Sequence, residues 1–122
     1  MAHHVVEFVS VLFNSRQQAH IFHLQTRSFA KHKALGAFYE SIADLADNYV
    51  EAYQGTHGIV TGYTPMPSFF EEESEVLPYF DKLEQYITAV QDQLPKQTDL
   101  QNIVADVLHL IHSTQYKLTH LQ

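Results

Sequence analysis

The sequence contains no cysteine, so neither a disulfide framework nor a thiolate metal site can form. No apolar run approaches the roughly 20 residues needed to span a bilayer. The start, MAHHVVEFV, has no basic region followed by an apolar stretch and a small-residue cleavage site. A cytoplasmic protein without membrane contacts is expected. Positive charge is also scarce. Seven Lys plus Arg face 14 Asp plus Glu, and the net charge of −7 argues against general binding to nucleic acid, which depends on neutralising phosphates. The same charge suits the capture of cations. Strand-like alternation, internal repeats, a phosphate-binding glycine loop and a G-x-S-x-G turn are all missing, which leaves nucleophilic hydrolysis without support.

What remains is helical. With 122 residues and 45% hydrophobic content the chain can form one domain with a real core. Residues 2–26 form a first helix in which Val5, Val6, Phe8, Val9, Val11, Leu12 and Phe13 are apolar nearly all round. Such a segment is buried on more than one side, as in a bundle core that also meets another subunit. Gln25 to Ser28 forms the turn. A second helix over about 30–54 carries Leu35, Phe38, Ile42, Leu45, Ala46, Tyr49 and Tyr53 at the 3-4 spacing of a bundle seam, with Gly55 as its stop. Residues 55–68, with three glycines and two prolines, form a long connection. Ser68 with Glu71 and Thr98 with Gln101 are capping-box patterns that open the last two helices, with a break at Pro95. The expected fold is all-α, a single ferritin-like four-helix bundle over residues 1–122 with a long connection between helices 2 and 3.

Nine histidines are the outlier in composition. His20, His32, Asp47 and Glu51 stand at separations of 12, 15 and 4. The last two lie one turn apart on the same helix face, which is how a helix offers two carboxylates to one cation. Glu40, Asp44, Asp47 and Glu51 form a stripe roughly opposite the apolar one, and such a stripe is most often a solvated face. His23 shares the face of His20 and is a possible third nitrogen ligand. Asp106, His109 and His112 share a face of the last helix, and D-x-x-H is an imperfect form of the E-x-x-H ligand pattern of larger di-iron bundles.

The run QAH at 18–20, an aromatic before the second His, and D-x-x-D-x-x-x-E at 44–51 resemble the Dps family of miniferritins. The resemblance implies that His20, His32, Asp47 and Glu51 form an iron-oxidising centre. Asp44, in the same D-x-x-D-x-x-x-E run, and His23, beside His20, are further candidate metal residues. The resemblance also implies hydrogen peroxide as oxidant, with dioxygen as the alternative, and a multi-subunit shell. Imidazole with carboxylate suits Fe(II), although the ligand set would also accept zinc or manganese. Dps proteins that coat DNA usually do so with a Lys-rich terminus, and neither MAHHVVEFV nor KLTHLQ provides one, so no duplex binding is expected.

Length adds a condition. His32 and Asp47, 15 residues apart on one helix, are separated by about 22 Å at 1.5 Å per residue. One ion cannot bridge that gap, so the site is expected across a homodimer with antiparallel second helices. A competing intrachain site would combine Asp47 and Glu51 with Glu7. Two function classes therefore stand. One is an iron-sequestering ferroxidase. The other is a non-catalytic structural or interaction protein in which the carboxylates are solvated and the histidines pack at helix ends.

Overall fold

The computed structural model describes residues 2–121 and consists of four α-helices, with no strand among the described residues. They are α1 (Ala2–Gln25), α2 (Phe29–His57), α3 (Val76–Val90) and α4 (Thr98–His120). Each begins or ends for a local reason. The α1 to α2 turn closes at Ser28, whose hydroxyl accepts from the Lys31 N–H at 3.2 Å and so satisfies one orphan donor of the new helix. Gly55 does not stop α2. The helix runs through it to His57 and ends at Gly58, which adopts φ 89°, a value that side chains with a Cβ avoid. Pro78 lies in the first turn of α3, where its missing N–H would have had no helical partner.

Neither expected capping box forms. Ser68 lies in the connection, and the reciprocal bonds join Glu72 and Glu75 around a short 3-10 turn at Glu73–Glu75. Thr98 is already helical. Gln101 donates instead to the carbonyl of Pro95 at 2.8 Å, tying α4 to the preceding bend.

The helices pack α1 on α2, α2 on α4 and α3 on α4, with a slighter contact between α1 and α3. Phe8, Phe38, Ile42, Phe80, Ile87, Val104 and Ile111 are fully buried at their junction. Each such side chain contributes about 1.5 to 3 kcal/mol by leaving water. The seam of α4 runs Leu100, Val104, Val107, Ile111, Thr114, Leu118. Thr114 keeps the spacing by returning its hydroxyl to the Leu110 carbonyl at 2.8 Å.

The connection from 58 to 72 positions everything else. Thr64 N–H donates to Ser10 Oγ at 3.0 Å, and the Thr64 carbonyl accepts from Asn14. Phe70 exchanges two bonds of 2.8 Å with the side chain of Gln18, which is wholly buried, and Glu71 accepts from Gln25. Successive link residues thus meet successive turns of α1, and the link climbs the full length of that helix. It is a crossover, so α2 and α3 run the same way. The surplus of apolar residues on α1 is partly explained by this strap, because Val11 faces Met66 and Phe70 across a cavity and Phe13 rests against Tyr63 with ring centroids 5.6 Å apart.

Candidate functional site

The histidines gather where α1 meets α2. His23 and His32 stack with centroids 3.6 Å apart and planes 19° from parallel. His23 Nδ1 donates to the backbone carbonyl of His32 at 2.6 Å, and His32 Nδ1 donates to that of His23 at 2.8 Å. A carbonyl can only accept, so each ring carries a proton on Nδ1. His20 stacks on Tyr39 at 4.4 Å, with its ring 6.0 Å from that of His23. All three histidines are half-buried.

The carboxylates are elsewhere. Glu40, Asp44, Asp47 and Glu51 are all exposed along the outer face of α2. That face points away from the seam formed by Leu35, Phe38, Ile42, Ala46, Tyr49 and Tyr53. Glu7 does not join them, since its carboxylate accepts from the Tyr86 hydroxyl at 3.0 Å on the α3 side of the bundle. That bond, together with the larger effect of burial, holds the Tyr86 phenol above its ordinary value. On α4, His112 lies 3.8 Å from Glu84 of α3, while Asp106 and His109 are exposed. Among the described residues no three His, Asp or Glu side chains come together in a group that could hold a metal ion. Within one chain, then, the histidine end and the carboxylate stripe of α2 do not form a common site.

A different feature occupies the histidine end. Residues 8–39 include Arg16, Arg27, Lys31 and Lys33 and no Asp or Glu, in a chain whose net charge is −7. At the tip of this segment Leu24 is 69% and Phe29 75% exposed. The first turn of α2 holds no acid, although the positive end of a helix favours one. Lys31 is compensated by Glu73, at the start of the 3-10 turn before α3, at 3.0 Å. Lys33 lies over the Phe29 ring, 5.8 Å from its centroid. The signal in the sequence is the absence of acids between Glu7 and Glu40, a feature that histidine spacing does not register.

Residues 23–118 match the model of a family of unknown function, DUF5856. The chain is also similar to an uncharacterized 14.6 kDa protein in the mobD-ri intergenic region of Enterobacteria phage T4. They are 24% identical over 114 residues, spanning 93% of this chain and 86% of the phage protein. No solved structure matches. These matches overturn the resemblance to Dps miniferritins, since the family that matches is one of unknown function and no ferritin-like or Dps family matches. The Dps reading rested on ligand spacing along a helical hairpin, and amphipathic helices with solvent-facing acids produce such spacings by themselves. No helix among the described residues is long and apolar enough to cross a membrane.

Proposed function

The chain belongs to that family of unknown function, and from that premise we propose that it is a non-catalytic interaction module. The end formed by the α1 to α2 turn, whose own segment carries bases and no acid, docks a protein segment carrying apolar side chains flanked by acids. The observation that carries this reading is the exposure of Leu24 and Phe29 amid Arg27, Lys31 and Lys33. Exposed aromatic and aliphatic side chains ringed by polar ones are the usual anchors of protein contacts. Lys31 in the first turn of α2 and Lys33 just beyond it work against the helix dipole; Lys31 is offset by Glu73, but Lys33 pairs with no acid among the described residues, and a local rule broken without gain to the fold points to function. A protein segment fits better than a polyphosphate. The net charge of −7 and the Glu71 to Glu73 run beside the same end repel a polyanion.

The finer fold reading, a ferritin-like bundle, is supported by the crossover between α2 and α3. It brings no activity with it, because function resides in sites and not in folds.

Selection of displayed peptides against the immobilised protein tests the reading. Enriched sequences should pair Leu or Phe with Asp or Glu. Leu24→Ser with Phe29→Ser should weaken the best peptide by about 2 kcal/mol or more, roughly thirtyfold, and Asp47→Asn with Glu51→Gln should leave it unchanged. Peptides without acids, or full binding by the Leu24/Phe29 variant, would overturn the proposal. So would iron retained in proportion to protein after Fe(II) loading and lost in His20→Ala, which would favour the expected intersubunit iron site in a homodimer instead.

A further inference from the structure

A cavity of about 300 Å³ lies beneath the link, at the far side of α1 from the histidines. Its walls are Val11 of α1, Met66 and Phe70 of the link, and Tyr79, Leu83 and Tyr86 of α3. It exists because α1 and α3 meet only slightly and the strap is held off α3 by its bonds to α1. Gln18 fixes Phe70 by two hydrogen bonds, and Ser10 and Asn14 fix Thr64, so the roof is anchored at two points. A smaller cavity of about 100 Å³ adjoins it and shares Phe70, Tyr79 and Lys82.

The polar groups are few, with Lys82 the one charged residue of the larger cavity and Glu75 beside it in the smaller. Lys82 is exposed and lines both cavities, and it forms no ion pair among the described residues, unlike Lys31 and Lys96. Asn14 donates its amide to Thr64, leaving its oxygen to accept. Glu7 stands on the Tyr86 side and is engaged by the Tyr86 hydroxyl. Tyr79 packs edge-on against Phe22, Phe70 and Phe80. Burial alone holds its phenol above the ordinary value, so it stays a hydroxyl and a donor. An apolar chamber with one unpaired cation at its mouth is the form of a site for an amphiphile with a single negative head.

We infer that this cavity binds a small monocarboxylate with an apolar body of about ten carbons, its carboxylate at Lys82 and its chain between Val11, Tyr79 and Leu83. An apolar cavity of ~150 Å³ holds a benzene ring, so twice that volume holds about ten to twelve carbons. A two-chain lipid does not fit.

The test is a ¹H–¹⁵N NMR titration of the full chain with sodium decanoate, 1-decanol and decylamine, each to about 1 mM. Decanoate should shift Val11, Asn14, Tyr79, Lys82 and Leu83 and leave the α1 to α2 turn still, and it should bind about tenfold more tightly than decylamine. Lys82→Gln, at an exposed position, should abolish that preference while the spectrum stays folded. Met66→Trp, on the link, should fill the chamber and weaken all three probes. Equal binding of decanoate and decylamine, shifts confined to other surfaces, or no shift at all would each overturn the inference.

Discussion

His23 and His32 bond to each other's backbone: each imidazole Nδ1 donates to the other residue's carbonyl, at 2.6 and 2.8 Å, while the rings stack 3.6 Å apart. The carbonyl of His23 belongs to the last turn of α1, where helix carbonyls have no partner of their own. His32 thus caps one helix from the start of the next. The pair fixes the helical hairpin that presents Leu24 and Phe29.

His23→Ala and His32→Ala should each cost about 1 to 2 kcal/mol, one hydrogen bond plus a half-buried group left unpaired. The double variant should cost clearly less than the sum, because removing either ring also removes the stack. Urea denaturation of the four proteins checks this. Additive losses would show that the two rings act independently.

Two glycines of α2 should respond in opposite directions to the same change. A Cβ on Gly36 would stand 3.1 Å from Cε1 and 3.2 Å from Nδ1 of the His23 ring, which is held in place by its bond to the His32 carbonyl. Gly36→Ala should therefore gain little or lose stability despite the better helix propensity of alanine. Gly55 lies in the last turns of the same helix with nothing within 4 Å of its Cβ position. There Gly55→Ala should raise stability by up to about 1 kcal/mol. Thermal melts of the two variants decide it, and a stabilised Gly36→Ala would mean that the His23 ring is free to move.

The number of helices and their apolar faces were legible because the 3-4 spacing of residues such as Phe38, Ile42, Leu100 and Val104 is a local property. The link could be placed from its glycines and prolines, but its course along α1 could not. That course depends on Ser10, Asn14 and Gln18, three polar residues of α1 whose partners lie some 50 residues away. Gly55 misled for a related reason. A glycine near a helix end is permitted to stop it, and only the positive φ of Gly58 shows where the stop occurs. His32, Asp47 and Glu51 do lie on one continuous helix, α2. Their meaning depended on what each side chain touches, and stacking of His23 on His32 or of His20 on Tyr39 leaves no pattern in a single sequence.

Tyr49 supplies the last prediction. It is wholly buried, edge-on to Phe8 with centroids 4.9 Å apart, and its hydroxyl has no hydrogen-bond partner among the described residues. An unpaired buried hydroxyl costs about 1 to 3 kcal/mol, so Tyr49→Phe should stabilise the protein at neutral pH by about 1 kcal/mol or more, a rise of about 4 °C in Tm. Burial, with a smaller contribution from Tyr53, pushes the Tyr49 phenol up to about 12, against about 10 when unfolded. The folded state therefore holds this proton more tightly. Its contribution to stability is intact below pH 10 and is lost as pH rises from about 10 to about 12, at about 1.4 kcal/mol per pH unit. Tyr79 and Tyr86, also raised, add to the slope in the same direction. Denaturation at about pH 9 and pH 11 should show the wild type losing stability faster than Tyr49→Phe, by about one proton's worth. A Phe variant less stable at neutral pH would show that a buried water satisfies the hydroxyl, and equal slopes would show that Tyr49 does not titrate in the folded state's alkaline loss.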